Sequence, residues 1–388
     1  MLEKLFERLE EIYPELVKIR RDLHMYPELS HQEVHTPKKI ANHLEDLGIE
    51  VRTGVGGRGV VGTLKGGKPG KTVALRADFD ALPIQEETDV DYMSQIPGVM
   101  HACGHDLHTA ALLGVAKILS EIKDEIPGTI KFIHQFGEEV TPGGAKPMIE
   151  DGCLDGVDII YGAHVVSTEE FGTVGVKEGY ASSAQDDFHI VIHGKGGHGS
   201  QPHQTVDPLV TGSQLVVNMQ QIVSRRINPF QAAAVTVASF VSGAGNNVIP
   251  DTAVIKGTVR TFDEEARNII EEALENITKA TCAANGATVD FEYVKECPSM
   301  YNDPQETKRV EETANLLFGG ENVMTDDPLM ASEDFAFYQQ EIPGVYFTVG
   351  GRNEEINAVY PHHHPKFNID ERAIIKISQM FIALVLGK

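Results

Sequence analysis

The sequence lacks the features that mark exported, membrane-bound or nucleic-acid-binding chains. Its four cysteines, Cys103, Cys153, Cys282 and Cys297, form no C-x-x-C pair. The opening residues, MLEKLFERLEEIYPEL, hold no uninterrupted apolar stretch of the kind an export signal carries. No apolar run reaches the ~20 residues that span a bilayer. A cytoplasmic enzyme with reduced thiols and no membrane partner is expected. Basic residues are scarce: 33 Lys and Arg stand against 57 Asp and Glu, a net charge of −24. Such a surface repels phosphate backbones and argues against a nucleic-acid partner. No serine sits in a G-x-S-x-G elbow, which argues against a serine hydrolase.

What is present is an ordinary globular composition, 41% hydrophobic over 388 residues, more than one core usually holds. Two domains are therefore expected. Leu2, Leu5, Phe6, Leu9, Ile12, Leu16, Ile19 and Leu23 recur at helical spacing, and their mixed-charge, glutamate-rich polar face favours core packing over a membrane role. A helix over 36–47 leads to a two-stranded hairpin around 49–64. Strands are expected at 72–77, 129–135 and 158–163, with helices at 107–122 (Asp106 as a possible N-cap) and after Gly143. This alternation predicts an α/β fold with a mainly parallel, helix-covered sheet.

The pattern changes near Ser182. A strand at 188–192, a helix at 208–224, strands at 233–240 and 253–261, a helix at 263–284 and a strand at 288–294 follow. The order β-α-β-β-α-β is the split βαβ, ferredoxin-like arrangement. Residues 183–295 thus read as an inserted α+β domain. Residues 1–182 and 296–388, with a helix near 305–317, a strand at 345–349 and a final helix from Glu371, form the catalytic domain.

The densest chemistry is His101-Ala-Cys103-Gly-His105-Asp106-Leu-His108. Thiolate and imidazole are donors suited to Zn²⁺ and its neighbours, and residues two apart in an extended loop can point at one ion. Asp78 and Asp80, Glu138 and Glu139, and His164 all follow expected parallel strands, where open α/β sheets place their sites. His362, His363 and His364 add imidazoles near the C-terminus. Convergence of these groups points to a metal site. Adjacent Glu138 and Glu139 face different sides, so one can ligate while the other serves as general base. Gly54-Val-Gly56-Gly57-Arg58-Gly59 fits G-x-G-x-x-G but opens no helix, and reads as a hairpin turn. Cys103 as a nucleophile is the weaker alternative, because carboxylates and histidines at several strand ends favour a ligand.

Taken together, RRDLHMYPELSHQE, ALRADFDALP, MHACGHDLHTAALLG, the Glu138-Glu139 pair, GKGGHGSQPH, NVIP, MASEDFAFY and HHHPKFNIDE resemble the M20 metallopeptidase clan, in its amidohydrolase branch of aminoacylase-like, hippurate-hydrolase-like and auxin-conjugate-hydrolase-like enzymes. These segments span nearly the whole chain, in the family's order. The resemblance implies an amidohydrolase of N-acyl amino acids carrying two divalent ions; the donor set tolerates zinc, manganese, cobalt or nickel. It implies Cys103, His105, Glu139, His164 and His363 as ligands, with Cys103 bridging and His362 and His364 as neighbours. Glu138 would be the general base, and Asp80 would orient a ligand. The inserted domain would act as a lid and form a homodimer or higher oligomer, with His198 reaching a partner's site to stabilise the oxyanion. Asn247 and Arg260 would hold the substrate's amide or carboxylate. The chain departs from the pattern at QFGEE, where relatives commonly carry proline and alanine, which bears on local loop shape. A dipeptidase or aminopeptidase of the same clan is the rival activity, and a non-catalytic metal-binding protein is the rival class.

Overall fold

The aliphatic run at 72–77 lies inside the strand Lys68–Asp78, whose last six residues are all buried. Alternate side chains of a strand face opposite ways, so burial of every one marks a sheet covered on both faces. The computed structural model, which describes residues 1–387, places this strand in an eight-stranded sheet. In spatial order its strands are Glu50–Val55, Gly59–Lys65, Pro127–Gln135, Lys68–Asp78, Ile159–Glu170, Gly344–Arg352, Val174–Val176 and Val323–Thr325. The four from Pro127–Gln135 to Gly344–Arg352 are mutually parallel. The first two join antiparallel, and Gly344–Arg352 meets Val174–Val176 antiparallel, so a parallel centre carries mixed edges. Helices Leu2–Met25, Thr36–Asp46 and Ala373–Leu386 all contact helix His105–Glu121, which is buried without a break from His105 to Ala116. Among the described residues no helix is long and apolar enough to cross a membrane.

Asp106 is not the N-cap expected from sequence. The helix starts two residues earlier, at His105, with Gly104 at its N-cap in a left-handed conformation, φ 100°. Asp106 falls in the first turn, where its Oδ1 accepts the Leu107 N–H at 2.9 Å. Its Oδ2 lies 2.8 Å from both Arg20 Nε and His24 Nδ1, all three side chains being essentially solvent-free. Attraction to a buried guanidinium, invisible in local sequence, sets its orientation.

Residues 182–300 together with 328–333 form a second compact unit. Ser182 and segments 296–300 and 328–333, assigned from sequence to the catalytic domain, fall in this unit. Ser183 N–H reaches the carbonyls of Leu329 and Ala331 at 2.9 and 3.1 Å, and Ser332 Oγ donates to Gln185. The sheet runs Ala233–Ser242, Thr252–Thr261, Ala184–His193, Thr288–Cys297, all antiparallel, which is order 2-3-1-4 when the strands are numbered along the chain. One face is alternately buried and packs Phe188, Ile190, Ile192 and Ile255 against Leu215, Ile270 and Leu274 of the helices. The helix expected over 208–224 is two, Pro208–Met219 and Gln221–Arg226; its last turn tightens at Gln220, whose N–H goes to Val217 O.

Candidate metal centre

Three parallel strands deliver the site. Asp78 and Asp80 stand at the end of Lys68–Asp78, Glu138 and Glu139 just past Pro127–Gln135, and His164 within Ile159–Glu170. Cys103 and His105 enter from the start of the buried helix. Gly104 between them has to be glycine: its φ is left-handed, and a Cβ there would sit 2.5 Å from Val165 Cγ1.

The donor atoms of these residues turn toward one another. Cys103 Sγ lies 3.4 Å from His164 Nε2. His164 Nδ1 donates to Val165 O at 2.7 Å, which leaves the Nε2 lone pair facing the thiol. His105 Nδ1 is held by Asp80, 3.0 Å from its carbonyl and 3.2 Å from Oδ1. His105 Nε2 then stands 3.8 Å from Glu139 Oε1 and 4.0 Å from Glu138 Oε2. The second Glu139 oxygen is 3.2 Å from His363 Nε2. His363 is fixed by a left-handed φ of 64° and a 2.8 Å hydrogen bond from its N–H to Ala102 O.

These residues fit a divalent cation. His105 Nε2 and Glu139 Oε1 are buried with no hydrogen-bond partner among the described residues, a costly state unless something else satisfies them. Cys103, His105 and Glu139 offer three ligand atoms within 4.8 Å of one another. Two ligands on one tetrahedral ion with bonds of 2.0–2.3 Å stand about 3.3–3.8 Å apart, which matches the 3.4 Å from Cys103 Sγ to His164 Nε2 and the 3.8 Å from His105 Nε2 to Glu139 Oε1.

The electrostatics agree. Burial pushes the Cys103 thiol well above its usual range, and the Glu139 charge adds to this. Burial opposes a charge on His105, yet Asp78 and the Asp80 hydrogen bond raise it well above the ordinary imidazole range. Burial, then the neighbouring His108 and His362, push His164 well down. Asp78 and Asp80 resist the upward push of burial and stay low because the cationic groups around them, His105 foremost, hold their charge. A pocket that concentrates carboxylates out of water favours a bound cation.

Of the clustered histidines, His108 is committed elsewhere. Its Nε2 accepts the Val165 N–H at 2.9 Å, so its Nδ1–H donates to Asp78 at 2.7 Å. His362 sits beside His164, with ring centroids 5.1 Å apart, and within ligand reach of Cys103 and His164. His364 stacks on Tyr360. Asp80 is a junction: besides His105 it accepts the Ser30 hydroxyl at 2.7 Å and the Glu139 N–H at 3.0 Å. Ser30 and Glu33, which holds the Gly137 N–H at 3.0 Å, were not singled out by sequence reasoning. Their signal was the segment RRDLHMYPELSHQE, which carries them but names no chemistry.

In the second unit His198 is exposed on a short strand paired with Val248. Its Nδ1 accepts from Ser200 N at 3.2 Å, which places the ring proton on Nε2 as an outward donor. Asn247 lies beside it, its carbonyl accepting the Gly199 N–H at 2.8 Å. Arg260 is apart from both: it lies eight residues along the strand from Thr252, about 26 Å at extended rise, and its guanidinium bonds to Thr258 and Val259.

Such donors at the carboxyl ends of a parallel α/β sheet define a metallohydrolase. The family profile "Peptidase family M20/M25/M40" matches residues 74–387. The N-acetylcysteine deacetylase of Bacillus subtilis is 40% identical over 96% of this chain and 96% of its own. The thermostable carboxypeptidase 1 of Saccharolobus solfataricus is 41% identical over 100% of this chain and 98% of its own. The crystal structure of Bacillus subtilis YXEP, a dinuclear metal binding peptidase from the M20 family, superposes with a TM-score of 0.85 at 37% identity, covering 97% of this chain and 98% of that one. The chain belongs to peptidase family M20/M25/M40. It is a hydrolase of amide bonds that uses divalent metal.

Proposed function

We propose that the chain removes the acyl group from N-acyl amino acids, with Glu138 as general base. Cys103, His105, Glu139, His164 and His363 would hold two divalent ions. Bound there, the ions supply an acidified water and an electrophilic contact for the amide oxygen. Glu138 takes the proton of the attacking water and passes it to the leaving amine. Asp80 holds His105 in the tautomer that presents Nε2.

What supports this reading is the division between the two neighbouring carboxylates. Glu139 turns its oxygens to His105 and His363, while Glu138 brings Oε2 to 4.0 Å from the same His105 nitrogen. His198, supplied by a second copy of the chain, is read as the donor to the developing oxyanion, and its outward Nε2–H suits that task. Asn247, next to it, would meet the substrate amide, and Arg260 a carboxylate at a separate point. The homodimer is read through the second unit, whose helix Pro208–Met219 exposes Leu209, Val210 and Val217.

A second reading, cleavage of short peptides by the same centre, draws on the relative named a carboxypeptidase. Assay of Glu138→Gln on N-acetyl amino acids, hippurate and dipeptides tests both. Loss of turnover by about 10²–10⁴-fold with metal retained supports the general base. Near wild-type turnover refutes it, and the preferred substrate in wild-type protein decides between the two readings.

A further inference from the structure

Segment 28–33 grips the loop that carries the carboxylate pair at several independent points. Ser30 Oγ donates at 2.7 Å to Asp80 Oδ2, the oxygen that also takes the Glu139 N–H. Glu33, 1% exposed, accepts the N–H of Gly137, the residue before Glu138, at 3.0 Å. His31 lies edge-on to Phe136 and so close to Gly137 that a Cβ there would stand 2.8 Å from its Cε1.

The segment is itself held firmly. The Glu28 carboxylate accepts the N–H groups of Val34, His35 and Thr36, and its carbonyl accepts that of Ala81 at 2.9 Å. Arg58, at the tip of the glycine-rich hairpin, donates to the Glu33 carbonyl. Such investment in a buried carboxylate beside the loop exceeds what packing alone needs, since burying an acid costs stability, and the Arg58 Nε stands no closer than 3.8 Å to its Oε2. Burial, with Asp80 adding to it, raises the Glu33 carboxyl to about 7, so a neutral amide is a close mimic.

We propose that Ser30 and Glu33 are positioning residues that fix Glu138 and Glu139 at working distance from the metal centre, through Asp80 and through the Gly137 amide. This rests on the proposed hydrolysis. Supporting groups of this kind typically change metal affinity or activity by about 10–100-fold when removed.

The test compares Ser30→Ala, Glu33→Ala and Glu33→Gln with wild-type protein. It reads Co²⁺ affinity by chelator competition, and kcat and KM on N-acetyl amino acids. The expected result is that both alanine variants lose about tenfold or more in kcat and in Co²⁺ affinity, with KM within about twofold. Glu33→Gln, which keeps the acceptor for Gly137, should restore both to within about threefold. Wild-type Co²⁺ affinity and kcat in the alanine variants would overturn the proposal, as would equal losses in Glu33→Gln and Glu33→Ala. If Glu33→Ala does not fold, Ser30→Ala and Glu33→Gln decide. Wild-type protein that binds Co²⁺ yet cleaves no N-acyl amino acid refutes the assigned activity instead, and the Co²⁺ affinities then judge the brace alone.

Discussion

Asp80 accepts the backbone N–H of Glu139 at 3.0 Å, so the residue that orients His105 also fixes the start of Glu139. One carboxylate thereby couples two chain segments that meet only in the folded protein. Asp80→Ala should lower divalent-metal affinity and kcat together, by about 10–100-fold. Equilibrium dialysis and initial rates check this. A loss in kcat alone, at unchanged affinity, would move Asp80 from support to chemistry.

Chelation separates a metal hydrolase from a cysteine amidase. Protein stripped with a strong chelator should lose at least about 95% of its turnover and regain it with added Zn²⁺, Mn²⁺, Co²⁺ or Ni²⁺. A Cys103 nucleophile would keep full activity after stripping.

Asp106 balances the buried Arg20. Asp106→Asn leaves that guanidinium, among the described residues, with Glu371, 3.3 Å from its Nη1, as its remaining ion-pair partner. Breaking a solvent-free pair of this kind costs about 3–5 kcal/mol, readable as a lower midpoint in urea unfolding.

His24 gives the stability curve a pH dependence. Burial lowers its proton affinity, but hydrogen bonds with Asp106 and Glu86 outweigh this and raise it above the ordinary 6.5. The folded state therefore binds the proton more tightly than the unfolded chain. The stabilisation is complete below about 6.5 and fades as pH climbs through the raised folded value. His24→Gln should accordingly cost more stability at pH 6 than at pH 9, measured by thermal melts at both.

How much could be read in advance followed from how local each signal is. Continuous apolar strands and acids at their ends are visible in short windows, and so Asp78, Asp80, Glu138, Glu139 and His164 stood out. Asp106 reads as a possible cap in sequence because its partners, Arg20 and His24, come from another helix. His108 reads in sequence as a donor among donors, but the Val165 amide occupies its Nε2. Glu33 carried no signal of its own, for a glutamate before a helix is ordinarily a solvated residue. Segment 328–333 joined the second unit through backbone hydrogen bonds, which leave no trace in side-chain chemistry.

The left-handed turn at Gly104 has a genetic reading. Every single-base change that alters the meaning of a glycine codon either adds a side chain or ends translation, and any side chain here meets Val165. Position 104 therefore offers drift no neutral step, and working descendants of this gene should all spell glycine between the cysteine and the histidine.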